Sequence, residues 1–144
     1  MTIQAILDHK GRDVITISGQ ATLKDAADKM SVHGIAALIV KDGDAIAGIT
    51  SEREIVCAIA RYGELALAMP VTEILTRGGM FPIAPQASLK HAMNLMTRHH
   101  VRHLPVISNG KLAGIVSIGD IVKRRVEDLE MESNVLRDVY IAAR

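Results

Sequence analysis

The chain has 144 residues, with 17 Lys and Arg against 16 Asp and Glu and a formal net charge of +1. This balance excludes the large basic field that nucleic-acid-binding proteins normally carry. No apolar run approaches the roughly 20 residues that a membrane span needs, and the first residues are too short and too polar for a secretory signal. We therefore expect a cytoplasmic protein that binds neither nucleic acid nor membranes.

Hydrophobic residues make up 49% of the chain, but there are only one Phe, two Tyr and no Trp. Such an aliphatic composition suits strands sandwiched between helices, where Ile, Val, Leu, Ala and Met fill both faces of a sheet. The length allows one compact domain or two small ones that share a core. Cys57 lies in the apolar run 55–59, so we expect a small buried thiol there rather than a reactive one.

The first half of the chain predicts the order β-α-β-β-α. The first segment, Val14–Ile17, is short and β-branched, as a strand would be. Thr22 is a suitable N-cap for a helix with apolar residues at helical spacing, and Gly34 is a suitable terminator. An Asp-Gly pair favours a tight hairpin turn. The remaining predicted elements are a lead-in helix at 3–7, a helix at 23–33, strands at 37–40 and 45–50 joined by a turn at 41–44, and a helix from Ser51 to about Arg61.

An internal repeat determines the expected architecture. At an offset of 66 residues, Val14–Ala60 aligns without a gap to Met80–Val126, and 16 of the 47 pairs are identical. A weaker echo at an offset of 68 relates 3–7 to 71–75. The second half therefore predicts the same elements again, and we divide the chain into repeat 1 (1–68), repeat 2 (69–126) and a C-terminal helical extension (127–144). The repeated elements are strand 81–83, helix 89–99, strand 103–107, turn 108–111, strand 112–116 and a helix from Ile118.

One heptapeptide occurs in both repeats at the junction between a hairpin strand and a helix. It reads GITSERE at Gly48–Glu54 and GIVSIGD at Gly114–Asp120. Both copies resemble the signature of the cystathionine β-synthase (CBS) domain family, which is Gly, a hydrophobic residue, any residue, Ser or Thr, two of any kind, then Asp. The preceding segment Val101–Val106 is also similar to that family, and the resemblance covers nearly the whole chain.

The resemblance implies an α/β fold (an α+β sandwich) in which two β-α-β-β-α repeats pack about a pseudo-twofold axis, with an extended C-terminal helix. It also implies clefts that commonly hold adenosine-containing ligands. Asp120 would then bind the ribose, and Ser117 would contact ribose or phosphate. Thr16 would line the nucleotide cleft, the backbone near Ala36 and Ala37 would meet the adenine edge, and Arg102 and His103 are candidates for the phosphate charge.

Helix capping alone also explains the acidic residues of both heptapeptides. Ser51 with Glu54 is a capping box, and Ser117 with Asp120 could be only an N-cap with first-turn charge. We favour the ligand interpretation for Ser117 and Asp120, because the motif is doubled. For Ser51 and Glu54 both interpretations stay open, because Glu is one methylene longer than the Asp of the family pattern. Pro82 stands where repeat 1 has Thr16, so we expect two clefts that are not equivalent.

The sequence favours a non-catalytic regulatory module that senses AMP, ATP or a related adenosine ligand and requires no cofactor, with an NAD-type dinucleotide as the alternative ligand. The alternatives are a ligand-free assembly module and an enzyme similar to inosine monophosphate dehydrogenase. Such an enzyme needs a barrel of about 250 residues, and no catalytic motif is visible. Past Ile121, a stripe of apolar residues alternates at spacings of three and four, with Ser133 at the one skipped position. The stripe consists of Val122, Val126, Leu129, Leu136 and Tyr140. It predicts a homodimer, unless it folds back on its own repeat. We also expect a regulated protein as a partner, whose identity is unknown.

We predict that His99, His100 and His103 bind no structural metal. His99 and His103 have a spacing that suits zinc on a single helix, but here one ends a predicted helix and the other begins a strand. Treatment with a chelator should therefore leave the melting temperature unchanged. A marked fall in melting temperature that added zinc restores would show that the histidines hold a metal.

Overall fold

The computed structural model describes residues 1–11, 13–76 and 79–143. It confirms the mixed α/β class and the long C-terminal helix. The helices are α1 (Ile3–Lys10), α2 (Leu23–His33), α3 (Glu52–Tyr62), α4 (Leu89–His99) and α5 (Ile118–Ala142), with short 3-10 helices at Gly63–Ala68 and Val71–Ile74. The strands are β1 (Thr16–Ser18), β2 (Ala37–Asp42), β3 (Ala45–Ser51), β4 (His103–Ser108) and β5 (Lys111–Ser117). No helix in the described ranges is both long and apolar enough to cross a membrane.

The chain forms two compact units, and the boundaries of these units differ from those of the two sequence repeats. The first-repeat unit is Asp13–Pro82, and the second-repeat unit combines Ile83–Arg144 with the N-terminal segment Met1–Arg12. The lead-in helix α1 therefore packs with the repeat that follows it by more than 70 residues. In the same way, the 3-10 helix Val71–Ile74 lies at the start of repeat 2 in the sequence but belongs to the first-repeat unit.

The first glycine of each heptapeptide makes room for a leucine of the packed lead-in segment. A Cβ atom built on Gly114 would lie 2.7 Å from Leu7 Cδ2, and one built on Gly48 would lie 3.2 Å from Leu75 Cδ1. Leu7 and Leu75 are themselves related by the offset of 68 seen in the sequence. The glycine of the heptapeptide is thus explained by close packing, most tightly at Gly114 and less so at Gly48, and not by a special backbone angle.

The first-repeat unit contains a three-stranded sheet in the order β1-β2-β3. Strand β1 runs parallel to β2, with Thr16 opposite Ile39, and β3 runs antiparallel to β2. Helix α2 begins and ends as the sequence predicts: Thr22 and Asp25 form a capping box, and Gly34 ends the helix in the left-handed conformation at φ 62°. The core is aliphatic, with Leu23, Leu38, Val40 and Val71 all buried.

In the second-repeat unit the predicted strand 81–83 is reduced to one bridge, so that prediction was wrong. Only Ile83 pairs with Val106, through bonds from Ile83 N to Pro105 O and from Ile107 N to Ile83 O. In the first-repeat unit Gly19 N continues the ladder by donating to Lys41 O. Its equivalent is Pro85, which has no N–H, and Pro105 likewise cannot donate to the neighbouring strand. The sheet therefore consists of β4 and β5 alone.

The hairpin of the first repeat turns one residue later than predicted. Asp42 still pairs with Ala45, so the two turn residues are Gly43, at φ 62°, and Asp44. In the second repeat both turn residues have positive φ, 52° at Asn109 and 76° at Gly110. The second turn is therefore the primed Asn-Gly type that the sequence indicates.

Cys57 is exposed, which contradicts the expectation of a buried thiol. Helix α3 buries Ile55 and Ala58, and at about 100° per residue Cys57 points away from that face. An apolar run in a helix therefore did not mean burial on all sides.

The predicted stripe on α5 is exposed as well, so it does not fold back on its own unit: Val122 is 54%, Val126 46%, Leu129 48%, Leu136 69% and Tyr140 65% exposed.

We predict that Gly114→Ala lowers the free energy of unfolding by about 1–3 kcal/mol, because the new methyl group overpacks the buried Leu7 side chain. Gly48→Ala should cost less, since Leu75 lies farther away. Urea unfolding of the purified variants measures both effects.

Gly119→Ala is the matched control within the same heptapeptide. A Cβ there would meet only Ser117 Oγ at an ordinary 3.6 Å, and alanine is the better helix former by about 1 kcal/mol. Wild-type stability of Gly114→Ala would contradict the packing explanation.

Candidate functional site

The corner between β5 and α5 fixes the Asp120 carboxylate against the backbone. Ser117 Oγ accepts a hydrogen bond from Asp120 N at 3.1 Å, and Asp120 Oδ2 accepts one from Ser117 N at 2.8 Å. These two reciprocal bonds form a capping box at the start of α5. The capping interpretation of these residues is therefore part of the structure, and a ligand at this corner would meet a carboxylate already held in place.

Lys10, at the end of α1, pairs with the same carboxylate oxygen. Its Nζ lies 2.7 Å from Asp120 Oδ2 and 3.0 Å from the carbonyl oxygen of Ile115. The Asp120 side chain is 24% exposed and that of Lys10 is 35% exposed. Nothing local in the sequence indicates this pair, because the partners are 110 residues apart and α1 packs with the distant repeat. A basic residue in the last turn of a helix is explained by the helix dipole alone.

These contacts lower the pKa of Asp120. Burial is the largest influence and raises the pKa, but the hydrogen bond from Lys10, the bond from Ser117 N–H and the Lys10 charge together outweigh it. The pKa of Asp120 therefore lies below the ordinary value for an aspartate, and the side chain is an anion at neutral pH. An ionised, oriented carboxylate is a strong acceptor for hydroxyl groups.

Asp120 and Lys10 line a small, open depression between α1 and α5. The nearby lining includes Lys123, Arg124 and Glu127 from the first turns of α5. Arg124 Nε is 3.5 Å from Asp128 Oδ1, so part of this positive charge is already countered. The depression thus presents one fixed carboxylate next to several cationic groups.

The corner between β3 and α3 is the equivalent position in the first-repeat unit. Ser51 N donates to Glu54 Oε2 at 3.0 Å, and the Ser51 hydroxyl contacts the same oxygen. The Glu54 carboxylate is therefore folded back onto the serine that begins its own helix. The capping role that the sequence left open is confirmed for Glu54, and its longer side chain is used to reach the cap.

Three other predicted residues lie at the same end of the first-repeat sheet. Ala37 pairs with Ser51 across β2 and β3, and the carbonyl oxygen of Ala36 accepts a bond from Glu52 N at 3.0 Å. Thr16 begins β1, and its carbonyl oxygen accepts a bond from Lys29 Nζ at 2.6 Å. Thr16, Ala36, Ala37, Ser51 and Glu54 thus gather at one edge of this unit.

The remaining predicted residues occupy the corresponding edge of the second-repeat unit. His103 pairs with Ser117 across β4 and β5, and the carbonyl oxygen of Arg102 accepts a bond from Ile118 N at 2.9 Å. Arg102 is exposed and His103 is partly buried. The structure therefore brings Arg102, His103, Ser117 and Asp120 to one corner, and their binding roles stay predictions.

The candidate histidines lie on different elements. His99 is the last residue of α4, His100 caps that helix in the left-handed conformation at φ 54°, and His103 begins β4. Across the described ranges, no group of three or more His, Cys, Asp or Glu residues is arranged to hold a metal ion.

The CBS domain family model matches residues 8–61 and 71–127 of the chain. A solved structure of a protein with CBS domains from Burkholderia ambifaria is 40% identical, covers 89% of this chain and 96% of its own, and superposes with a TM-score of 0.83. The CBS domain-containing protein CBSX3, mitochondrial, of Arabidopsis thaliana is 33% identical over 135 residues. That match covers 88% of this chain and 66% of the relative, slightly under two thirds of its length.

Two further solved structures contain bound groups. Hypoxic Response Protein I, with two coordinated zinc ions, is 30% identical, covers 86% of this chain and 98% of its own, and has a TM-score of 0.69. The CBS domain pair of MJ0100, in complex with 5′-methylthioadenosine and S-adenosyl-L-methionine, is 22% identical, covers 89% and 98%, and has a TM-score of 0.77. The second likeness is one of fold alone.

The two matched segments cover the two repeats, so this chain belongs to the CBS domain family and contains a pair of CBS domains.

Proposed function

We propose that this CBS pair is a non-catalytic regulatory module that binds an adenine nucleotide of the AMP or ATP type. Asp120 accepts the ribose hydroxyls, and Ser117 contacts ribose or phosphate. Arg102 and His103, at the same corner, supply positive charge to the phosphate. Thr16 and the backbone at Ala36 and Ala37 line the equivalent corner of the first-repeat unit.

The observation that carries this proposal is the state of Asp120. Its carboxylate is ionised, partly exposed and fixed by the Ser117 amide. A carboxylate held in this way can accept the two hydroxyls of a ribose, as an acidic residue does in dinucleotide-binding folds. The fold also holds adenosine-containing ligands in the MJ0100 structure, which supports a ligand of this chemical class. An NAD-type dinucleotide has the same ribose and is the runner-up.

A second candidate function, assembly, is favoured by the exposed stripe on α5. Several large apolar residues in one row of a helix are more than an isolated exposed side chain, and such a surface is typical of an interface. We propose that a second copy of the chain covers it, so that binding and dimerisation occur in the same protein. A regulated partner protein would then contact the dimer.

We predict that Asp120→Ala weakens the binding of AMP and ATP by about tenfold to a hundredfold, because a hydrogen bond to a charged acceptor contributes roughly 1.5–3 kcal/mol. Glu54→Ala is the matched control, since it removes the equivalent helix cap. It should change affinity little and should cost about 1 kcal/mol of stability. Isothermal titration of both nucleotides and urea unfolding measure the two effects. Equal losses of affinity would show that the two corners bind alike, and no loss for Asp120→Ala would refute the proposed site.

We predict a homodimer whose mass by light scattering is near twice 15.5 kDa. Leu129→Lys should shift the protein toward monomer, because it places a charge within the apolar stripe. Val32→Lys is the control, since Val32 is exposed on α2 and lies outside the stripe. A wild-type monomer at about 100 μM, where mass action favours association, would contradict the assembly proposal.

A further inference from the structure

The Lys10–Asp120 ion pair lies where the proposed ligand binds, and the following inference rests on that proposed function. We propose that Lys10 is an exchangeable counter-ion. The Lys10 ammonium pairs with Asp120 in the absence of ligand. When the ribose hydroxyls bind to the Asp120 carboxylate, the ammonium moves to the phosphate of the ligand. The site would thereby select phosphorylated ribose ligands over neutral nucleosides.

Asp120 has a limited number of sites that accept hydrogen bonds. Each carboxylate oxygen accepts about two hydrogen bonds, and Oδ2 already receives the Ser117 N–H and the Lys10 ammonium. A pair of ribose hydroxyls that bridges both oxygens therefore needs one of these donors to leave Oδ2. Ser117 N–H is fixed by the backbone of the helix cap. Lys10 is on a flexible four-carbon side chain, so it is the donor that leaves.

Displacement from Asp120 deprives the Lys10 ammonium of its anionic partner. The Lys10 side chain is 35% exposed, and its ammonium loses this partner when the ribose hydroxyls take its place on Asp120. A phosphate on the incoming ligand supplies a new anionic partner, whereas a neutral nucleoside supplies none. Lys123 lines the same depression and adds positive potential for the phosphate, whereas Arg124 is already paired with Asp128 and the lining also includes Glu127.

Titration calorimetry with AMP and adenosine as separate probes tests this exchange. In Lys10→Met, which keeps the aliphatic part of the side chain, AMP should bind about tenfold more weakly or worse because a charge-assisted bond is lost. Adenosine should bind equally well or more tightly, because the ammonium no longer competes for Asp120. Lys10→Arg should retain the preference for AMP over adenosine.

Two further variants separate the exchange from simple loss of structure. Lys24→Met removes a different ion pair, with Asp28 on the surface of α2, and should leave both affinities unchanged. Lys10→Gln is neutral and polar, so it should reproduce the effect of Lys10→Met if that variant is too unstable to titrate.

The ratio of the affinities for AMP and adenosine, compared between wild type and the Lys10 variants, decides whether Lys10 has this role. Equal changes in the affinities for AMP and adenosine, or no change in either, would overturn the role of Lys10 while leaving the proposed function intact. Wild-type protein that binds neither probe would overturn the proposed function and this inference together.

Discussion

The reciprocal hydrogen bonding between an N-cap serine and the acidic residue three positions later fixes the corner at which each long hairpin becomes a helix. At Ser117 and Asp120 it ties a carboxylate to the first amide of the corner. At Ser51 and Glu54 the longer acid also bonds back to its serine. The same device thus stabilises the fold in both repeats. The shorter aspartate is in addition bound by a lysine from another element, which is why we assign the ligand to its corner.

That lysine reaches Asp120 because each repeat packs with a lead-in segment from elsewhere in the chain. Helix α1 is anchored in the second-repeat unit by Leu7, whose side chain fills the space that Gly114 leaves open. Lys10 is one turn further along the same helix and therefore arrives beside the heptapeptide. The heptapeptide glycine, a packing residue, and the heptapeptide aspartate, a candidate binding residue, are thus linked through one helix. A change at Leu7 or at Lys10 is expected to affect the proposed site.

The sequence was sufficient for much of the fold, because its signals were local. Thr22 and Gly34 set the ends of α2, and the repeat offset transferred the same bounds to α4. The sequence failed where the outcome depended on packing or on missing donors. Pro85 and Pro105 shortened the predicted strand at 81–83, and Cys57 lies outside the buried face of α3. The site was predicted as a set of residues, but Lys10 was missed because nothing local shows that α1 packs with the second repeat.

A crystal structure of the wild-type protein grown with saturating AMP would show whether ribose displaces Lys10 from Asp120. We expect the ribose hydroxyls of AMP to lie within hydrogen-bonding distance of Asp120, with Ser117 N–H still bound to the carboxylate and Lys10 Nζ turned to the phosphate. AMP bound elsewhere, or no AMP bound while Lys10 remains on Asp120, would contradict this expectation.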